Sequence, residues 1–348
     1  VYEAREQTDI LTELQEHSKV EASKIEGTFE YDVFSSNSIE FGKTEIELEQ
    51  MYKAAFADSS WGEYLTKRAA ESGIIRKDAV NAIGVLKVSG NGTLPAGSVF
   101  STEDGSLSFE TTEAAEVRTS AQVNARAIVA GEAGNVAAGT ITKIPMSIPG
   151  INGVTNEEAF HDGYDKEKDE NLLDRYLVHV RTPGTSGNKY HYLEWALAVP
   201  GVGGARVIPT WAGPTTVKVI IVDSNYSPAS EDLISRVFNY IEEVRPTGAV
   251  LTVVSAVPKQ VNISATVSGT VNQENFENAV KNYFIDLEKK NIKSTENLQV
   301  SVAKIGSLLL NSNGGGAEDY TDLLLNGDTV NIPLTAEEIA VLGTVTLT

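Results

Sequence analysis

Hydrophobic and polar positions follow two different periods along the 348 residues, and each change of period marks a change of element. Near the start, Ile10, Leu11 and Leu14 recur at the spacing that places them on one side of an α-helix. A longer helix follows in which Phe41, Leu48, Met51, Tyr52, Ala55 and Phe56 keep helical spacing, while Lys43, Glu45, Glu47, Glu49 and Gln50 occupy the other face. A loop over 27–38 is expected between the two helices. Such a pair buries little between its members, so the apolar stripe calls for a further partner. Pattern alone favours an intramolecular cap on the next domain, since apolar stripes usually meet cores of their own chain.

From about 82 to 156 the pattern switches to short alternating runs. Val85, Val88, Val99, Phe100, Phe109, Val117, Val123, Ala125, Ala127, Val129, Ile141 and Ile144 sit among Gly, Pro, Thr and Ser turns, which predicts an all-β module, sandwich or barrel-like. A third region mixes periods. Leu172, Leu173, Tyr176, Leu177 and Val180 fit one helical face, Tyr190, Leu193 and Leu197 a second, and Leu233, Val237, Ile241 and Val244 a third that stops at Pro246-Thr247-Gly248. Strands are predicted at 205–208, 217–222 and 250–257, giving helices on one face of a small sheet. The last region repeats the theme: Val261, Ile263, Ala265 and Val267 alternate strictly, a helix carries Phe276, Ala279, Val280, Tyr283, Phe284 and Leu287, a second helix covers 302–310, and strands lie near 320–325 and 345–347. Pro258-Lys259-Gln260 is a candidate hinge, because proline interrupts the run between adjacent strands. The expected architecture is multidomain α+β: an N-terminal helical segment (1–81), a β-rich domain (82–160), then two small α+β sandwich units (161–258 and 259–348).

Charge narrows the function classes. Lys and Arg number 28 against 48 Asp and Glu, a formal net charge of −20, which opposes binding to phosphate backbones and makes nucleic acid an unexpected partner. The absence of cysteine removes disulfides, thiolate catalysis and thiolate metal sites. No run of eighteen apolar residues exists and the first sixteen residues carry charges without an apolar signal core, so membrane insertion is not expected.

Candidate chemistry is sparse. His17, His161, His179 and His191 lie in separate elements and none has H-E-x-x-H spacing. The acidic cluster Asp162, Asp165, Glu167, Asp169 and Glu170 offers metal ligands by composition, but it fails the EF-hand template and reads more simply as the acidic start of the helix carrying Leu172. The run 217–222 ending in Asp223 resembles a Mg²⁺-holding strand without any G-x-x-x-x-G-K-[ST] to accompany it, so Asp223-Ser224-Asn225 reads as a turn. Gly201-Val202-Gly203-Gly204 follows a helix and lacks the third glycine of a dinucleotide fingerprint. Gly131-Glu132-Ala133-Gly134-Asn135 reads as a turn between strands. Trp61, Trp195 and Trp211 fall in differently patterned segments, against the aromatic platform of a carbohydrate cleft. No catalytic residue, cofactor or metal is expected.

Several blocks nevertheless carry a family resemblance. Gly62-Glu63-Tyr64-Leu65 runs through Ala69-Ala70-Glu71-Ser72-Gly73 to Arg76, and is followed by Gly90-Asn91-Gly92-Thr93-Leu94-Pro95-Ala96-Gly97-Ser98-Val99-Phe100 and Phe109-Glu110-Thr111-Thr112. Then come Ala130-Gly131-Glu132-Ala133-Gly134-Asn135, Gly163-Tyr164-Asp165-Lys166-Glu167, Pro183-Gly184-Thr185-Ser186-Gly187, Val199-Pro200-Gly201-Val202, and a final Pro333-Leu334 with Gly343-Thr344-Val345-Thr346-Leu347. In that order, over nearly the whole chain, they resemble the baseplate J-like proteins, wedge components of contractile phage tails and phage-tail-like bacteriocins. The resemblance implies a non-enzymatic structural protein of a virion or tail-like particle baseplate, assembled in the host cytoplasm. It implies as partners a second copy within a wedge and across wedges, a smaller tail protein of the wedge, the sheath-initiating baseplate protein and the hub and spike. It also implies that the N-terminal helices bundle with neighbouring subunits, with Phe41, Leu48, Met51, Tyr52, Ala55 and Phe56 as the bundle face, and that the wedge passes on the trigger for sheath contraction. The alternatives are a tail-associated cell-wall-degrading enzyme and a cell-surface β-rich adhesin, the latter opposed by the missing signal core.

Overall fold

The computed structural model describes residues 2–19, 21, 23–182, 184–185, 187–293, 298–311 and 314–348. The chain is α+β and multidomain, with helices first, then a β-rich region, then two α+β units. It separates into two compact units, Val1–Arg76 with Lys168–Val180, and Lys77–Glu167 with Arg181–Thr348.

The first unit holds α1 (Gln7–His17), α2 (Phe29–Ala55), α3 (Gly62–Ala70) and α4 (Asp169–Arg181). Contacts from the backbone N–H of Ala4 to Glu49, from Arg5 to Glu45 and from Gln7 to Ser38 show that the start of the chain and α1 run antiparallel to α2. The expected loop over 27–38 is therefore mostly helix. Thr28 caps α2 by accepting from the backbone N–H of Tyr31, and the hydroxyls of Ser36 and Ser38 bond back to the carbonyls of Asp32 and Ser35. Those back-bonds satisfy side chains that would otherwise compete with the helix, which is why a Ser-Ser-Asn-Ser run reads as loop and folds as helix. Glu45 and Glu49, on the face opposite the apolar stripe in the sequence pattern, are anchored to Arg5 and to the N–H of Ala4.

The helix carrying Leu172, expected to belong with the third region, instead packs on α3: Leu65, Ala69, Leu172 and Tyr176 are buried together. Arg76 fastens the pair, its side chain 8% exposed, donating to Asp169 Oδ1 at 2.6 Å, to the Gly62 carbonyl at 3.1 Å and to Thr66 Oγ1 at 2.8 Å. Gly62 N–H donates to the other Asp169 oxygen at 2.8 Å. That backbone bond, with Arg76, holds the Asp169 carboxyl below its usual range.

The second unit begins with six strands: β1 (Ile83–Leu94), β2 (Val99–Thr102), β3 (Ser108–Thr111), β4 (Ala115–Ala127), β5 (Ile141–Lys143) and β6 (Ile151–Thr155), ordered β5-β2-β3-β4-β1-β6 and paired antiparallel throughout. The sheet curls into a nearly closed barrel around Leu86, Val88, Phe100, Phe109, Val123 and Ile141. Its open edges meet at Asn156, just past β6: the buried carboxamide accepts from Ile141 N–H at 3.0 Å and donates to the Ala137 and Glu158 carbonyls, while its own carbonyl accepts from Gly139 N–H. One side chain thus satisfies backbone groups that a complete ladder would otherwise cover.

The next module comprises α5 (Lys189–Ala198), β7 (Val202–Pro209), β8 (Thr216–Asp223), α6 (Glu231–Val244) and β9 (Val250–Ser255). The sheet order is β7-β8-β9, with β7 antiparallel and β9 parallel to β8, so α6 is the crossover of a parallel pair. Lys218 through Val222 are all buried because both faces of β8 are covered. On one face Val219 and Ile221 meet Tyr192, Leu233, Val237 and Ile241.

The C-terminal module contains β10 (Val257–Ser268), α7 (Gln273–Lys293), β11 (Gln299–Val300), α8 (Val302–Leu310), β12 (Asp319–Leu325), β13 (Ile332–Pro333) and β14 (Glu338–Leu347), with sheet order β12-β10-β14. Pro258, the candidate hinge, lies inside β10 and pairs in register with Ile339 of β14. It is tolerated because β12 joins β10 only from Ile263 onward, leaving the proline on an open edge. The junction it marks is packed: Ile220, Val222 and Ala256 are buried against Ile339, and Arg206 Nη2 faces Glu288 Oε1 at 3.2 Å with both residues buried.

Candidate functional site

All six residues of the expected bundle face are exposed, five on α2 and Phe56 just past its end, including Phe41 at 52%, Leu48 at 47% and Met51 at 69%. Their spacing sets Phe41, Leu48, Tyr52 and Ala55 on one line, with Met51 and Phe56 at its margins. The Tyr52 and Phe56 rings pack at a 60° tilt with their centroids 5.3 Å apart. Phe29 and Val33, near the start of α2, are exposed apolar residues as well. Beside this line a groove opens between α1 and α2, lined by Ile10, Leu14, Phe34 and Phe41 and edged by Arg5, Glu13, His17 and Glu45.

The acidic cluster does not converge on one point. Asp165 accepts from the N–H of Glu132, Glu167 from the N–H of Lys77, and Asp169 is held by Arg76 and Gly62. Asp162 is buried, adopts the left-handed backbone region (φ 60°), and accepts from Tyr164 Oη at 2.7 Å and from Ser230 Oγ at 2.8 Å to each oxygen. Ser230 in turn caps α6 through Leu233 N–H. One combination that the sequence does not reveal is His161, Asp162 and Asp232, whose ligand atoms lie within 4.8 Å of one another; the Asp162 oxygens there are already occupied by Ser230 and Tyr164.

Asp223 does form a turn, accepting from the N–H groups of Asn225 and Ser227. Burial nonetheless pushes its carboxyl up to about 6, against those two backbone bonds and with added repulsion from Asp162 and Glu132. Burial and the neighbouring Asp162 raise the Tyr164 phenol as well. Gly203 lies where β7 bulges against β8, and a Cβ there would stand 2.2 Å from the Asp223 carbonyl, so this glycine serves backbone approach, not phosphate binding. Trp195 stacks on His191, and Trp211 lies under the Lys218 ammonium at 4.0 Å, two separate local contacts without a shared cleft. Among the described residues no helix is long and apolar enough to cross a membrane.

Three family profiles match in tandem: the Baseplate J-like protein barrel domain over 85–163, the Baseplate J-like central domain over 184–255 and the Baseplate J-like protein C-terminal domain over 261–348. Bacillus subtilis (strain 168) YqbT is 33% identical over 369 aligned positions, covering 100% of this chain and 99% of that protein. The chain belongs to the baseplate J-like family. The phage-like element PBSX protein XkdT of the same organism is 33% identical across 92% of this chain and 91% of its own length. The baseplate protein gp47 of Escherichia phage Mu is 34% identical across 49% of each chain. A chain of the anti-feeding prophage (AFP) baseplate overlaps 96% of this chain and 90% of its own at 10% identity and a TM-score of 0.40.

Several of the blocks that carry the baseplate J-like resemblance form joints. Arg76 and Gly62, from one block, grip the start of α4. Asn135 of the Gly131–Asn135 block clasps the backbone of Gly163, and Tyr164 packs its ring over Gly201 so closely that a Cβ there would lie 2.6 Å from it. Three blocks distant in sequence therefore meet where the barrel adjoins the central module. Pro183 and Ser186 of a further block lie outside the described residues.

Proposed function

We propose that the chain is a non-enzymatic wedge subunit of a contractile-tail baseplate, in a phage or a tail-like particle. In this reading the N-terminal segment (1–81) enters a helical bundle with a second copy and a smaller tail protein. The β-rich part (82–160) and the central α+β part (161–258) form the body. The C-terminal part (259–348) meets the adjacent wedge and closes a ring around the hub and spike, in contact with the sheath-initiating protein. The trigger for sheath contraction passes as a shift between two sets of interfaces, which requires contacts that differ between the two states.

The observation that carries the reading is the exposed line Phe41, Leu48, Tyr52 and Ala55 on a 27-residue helix whose buried positions are only Ser38 and Gly42. A helix with so little apolar burial of its own is marginal in water and gains its stability from a partner. Family membership and the use of the characteristic blocks as joints support the same reading, as does a net charge of −20 that disfavours nucleic acid.

The test is Leu48→Asp with Tyr52→Asp in the particle-producing background. Both side chains are exposed, so the purified variant should keep its circular dichroism and melting temperature while wedges and baseplates disappear from the lysate. Complete baseplates carrying the double variant would overturn the proposal.

A further inference from the structure

We infer that a cavity at the turn end of the central module binds a small uncharged sugar. The cavity measures about 470 Å³, opens to solvent, and is framed by three pieces of chain: Gly187 ahead of α5, the β7–β8 turn with Pro209, Thr215 and Val217, and the α6–β9 turn with Pro246 and Thr247. That volume falls in the range of small-ligand pockets. The walls are preformed. Gly187 takes a left-handed φ of 74° and sits so close to Pro246 that a Cβ would stand 2.5 Å from its Cγ. Thr216 Oγ1 ties the β7–β8 turn together, donating to the Gly213 carbonyl at 2.7 Å and accepting from Ala212 N–H at 3.1 Å.

Tyr192 decides what fits. It is 1% exposed and lines the cavity, its ring packed edge-on to Trp195 within the core of the module. Its hydroxyl makes no hydrogen bond to any described residue, and the small surface it keeps opens on the cavity. A phenol drawn out of water and left without a partner is costly, so the site favours an occupant that bonds to that oxygen. Among the described residues none that lines the cavity is charged, and the nearby Arg245 guanidinium is committed to Glu242 and the Pro246 carbonyl. An ionic ligand would lose hydration there without gaining a counter-charge. A purely apolar ligand would cover the Tyr192 hydroxyl and leave it unpaired. A sugar meets both demands. Its hydroxyls donate and accept, matching Tyr192 and the unengaged hydroxyls of Thr215 and Thr247 at the rim, while its C–H surface rests on Pro209, Val217 and Pro246. With no carboxylate among the described lining residues, the acid pair that glycoside hydrolysis requires is missing, so the site binds without cutting.

The probes are glucose, galactose and N-acetylglucosamine, each free and as its methyl glycoside, titrated into the full chain. Saturation-transfer NMR reads the sugar, and tryptophan fluorescence reads the protein through Trp195, whose ring lies 5.1 Å from that of Tyr192. At least one of the sugars should bind saturably, with gluconate and cyclohexanol about tenfold weaker. Tyr192→Phe removes one unpaired oxygen, so it should keep the melting temperature and weaken sugar binding about tenfold. Should that variant melt low, Thr215→Val with Thr247→Val carries the test, since both side chains are exposed and the pair should weaken binding without unfolding the chain. The two forms of each sugar separate the sources: equal binding assigns the site to the terminal unit of a glycan, and binding of the free form alone assigns it to a free sugar. The inference is overturned if no probe binds saturably, which leaves water as the occupant. It is equally overturned if gluconate or cyclohexanol matches the best sugar, or if the folded variants bind that sugar as wild type does. None of these outcomes bears on the wedge reading, which the baseplates of the Leu48→Asp and Tyr52→Asp variant decide.

Discussion

The carboxamide of Asn135 holds the backbone of Gly163 at both ends, its Oδ1 accepting from the Gly163 N–H and its Nδ2 donating to the Gly163 carbonyl, each at 2.8 Å. An amide carries the acceptor and the donor on separate atoms, whereas a carboxylate offers no donor and an amine no acceptor. Gly163 is fully enclosed, with the Gly131 carbonyl 2.5 Å and Ala82 Cβ 2.9 Å from where a side chain would begin. The clasp fixes the segment that carries Asp162 and Tyr164 to the barrel.

Asn135→Asp should therefore destabilise the chain more than an exposed substitution does, by about 1–3 kcal/mol, since it sets a carboxylate oxygen against a carbonyl. Gly163→Ala should cost about as much or more, because the atom it would meet is backbone and cannot rotate away. Urea denaturation followed by tryptophan fluorescence measures both. Wild-type midpoints for the two variants would show that the clasp is incidental.

Asp223 makes a pH prediction with a definite sign. Its folded carboxyl titrates near 6, above the ordinary 3.8, so the folded state binds this proton more tightly than the unfolded state does. The stability it contributes is complete below about 4 and is lost as pH rises through 6, leaving the folded chain burdened by a desolvated charge at neutral pH. Asp223→Asn keeps an oxygen to accept from Asn225 and Ser227 and removes the charge. The variant should melt higher than wild type at pH 7.5, by an amount equivalent to about 2 kcal/mol, and the difference should vanish near pH 4. A gain that is the same at both values would assign the effect to something other than the proton.

Much of this fold is legible from periodicity, and the failures have physical causes. Strict alternation at Val261, Ile263 and Ala265 and the helical faces at Leu233, Val237 and Ile241 each report one-sided burial, which sequence pattern encodes directly. The 27–38 segment misleads because the hydroxyls of Ser36 and Ser38 are satisfied within the helix, a matter of local geometry that composition does not record. Pro258 misleads because a proline at an open sheet edge and a proline in a hinge look alike until the neighbouring strand is placed. The apolar stripe on α2 is readable as a stripe, but its exposure is not, since a pattern shows which face is apolar and not what covers it. The joints at Asn135, Gly163, Tyr164 and Gly201 are invisible to periodicity, being contacts between blocks far apart in the chain. Their only signal is the family resemblance of the blocks themselves.

The packed junction at Pro258 leads to the last prediction. Arg206 and Glu288 face each other at 3.2 Å with side chains only 9% and 4% exposed, joining β7 of the central module to α7 of the C-terminal one. Burial draws the Arg206 guanidinium down from its usual range, while Glu288 and Glu337 oppose that shift. Removing one partner strands a buried charge, which typically costs about 3–5 kcal/mol, whereas replacing both by apolar groups of similar size is often neutral or stabilising. Glu288→Leu alone should lower stability severely, and adding Arg206→Met should recover most of the loss. Chemical denaturation of the two single variants and the double variant forms a complete cycle that measures the coupling. The same junction predicts that a chain ending at residue 258 aggregates, because it would expose Ile220, Val222 and Ala256 together with the unpaired Arg206. Additive single-variant losses in the cycle, or a soluble monomeric truncation that melts like the full chain, would mean that the two modules stand independently after all.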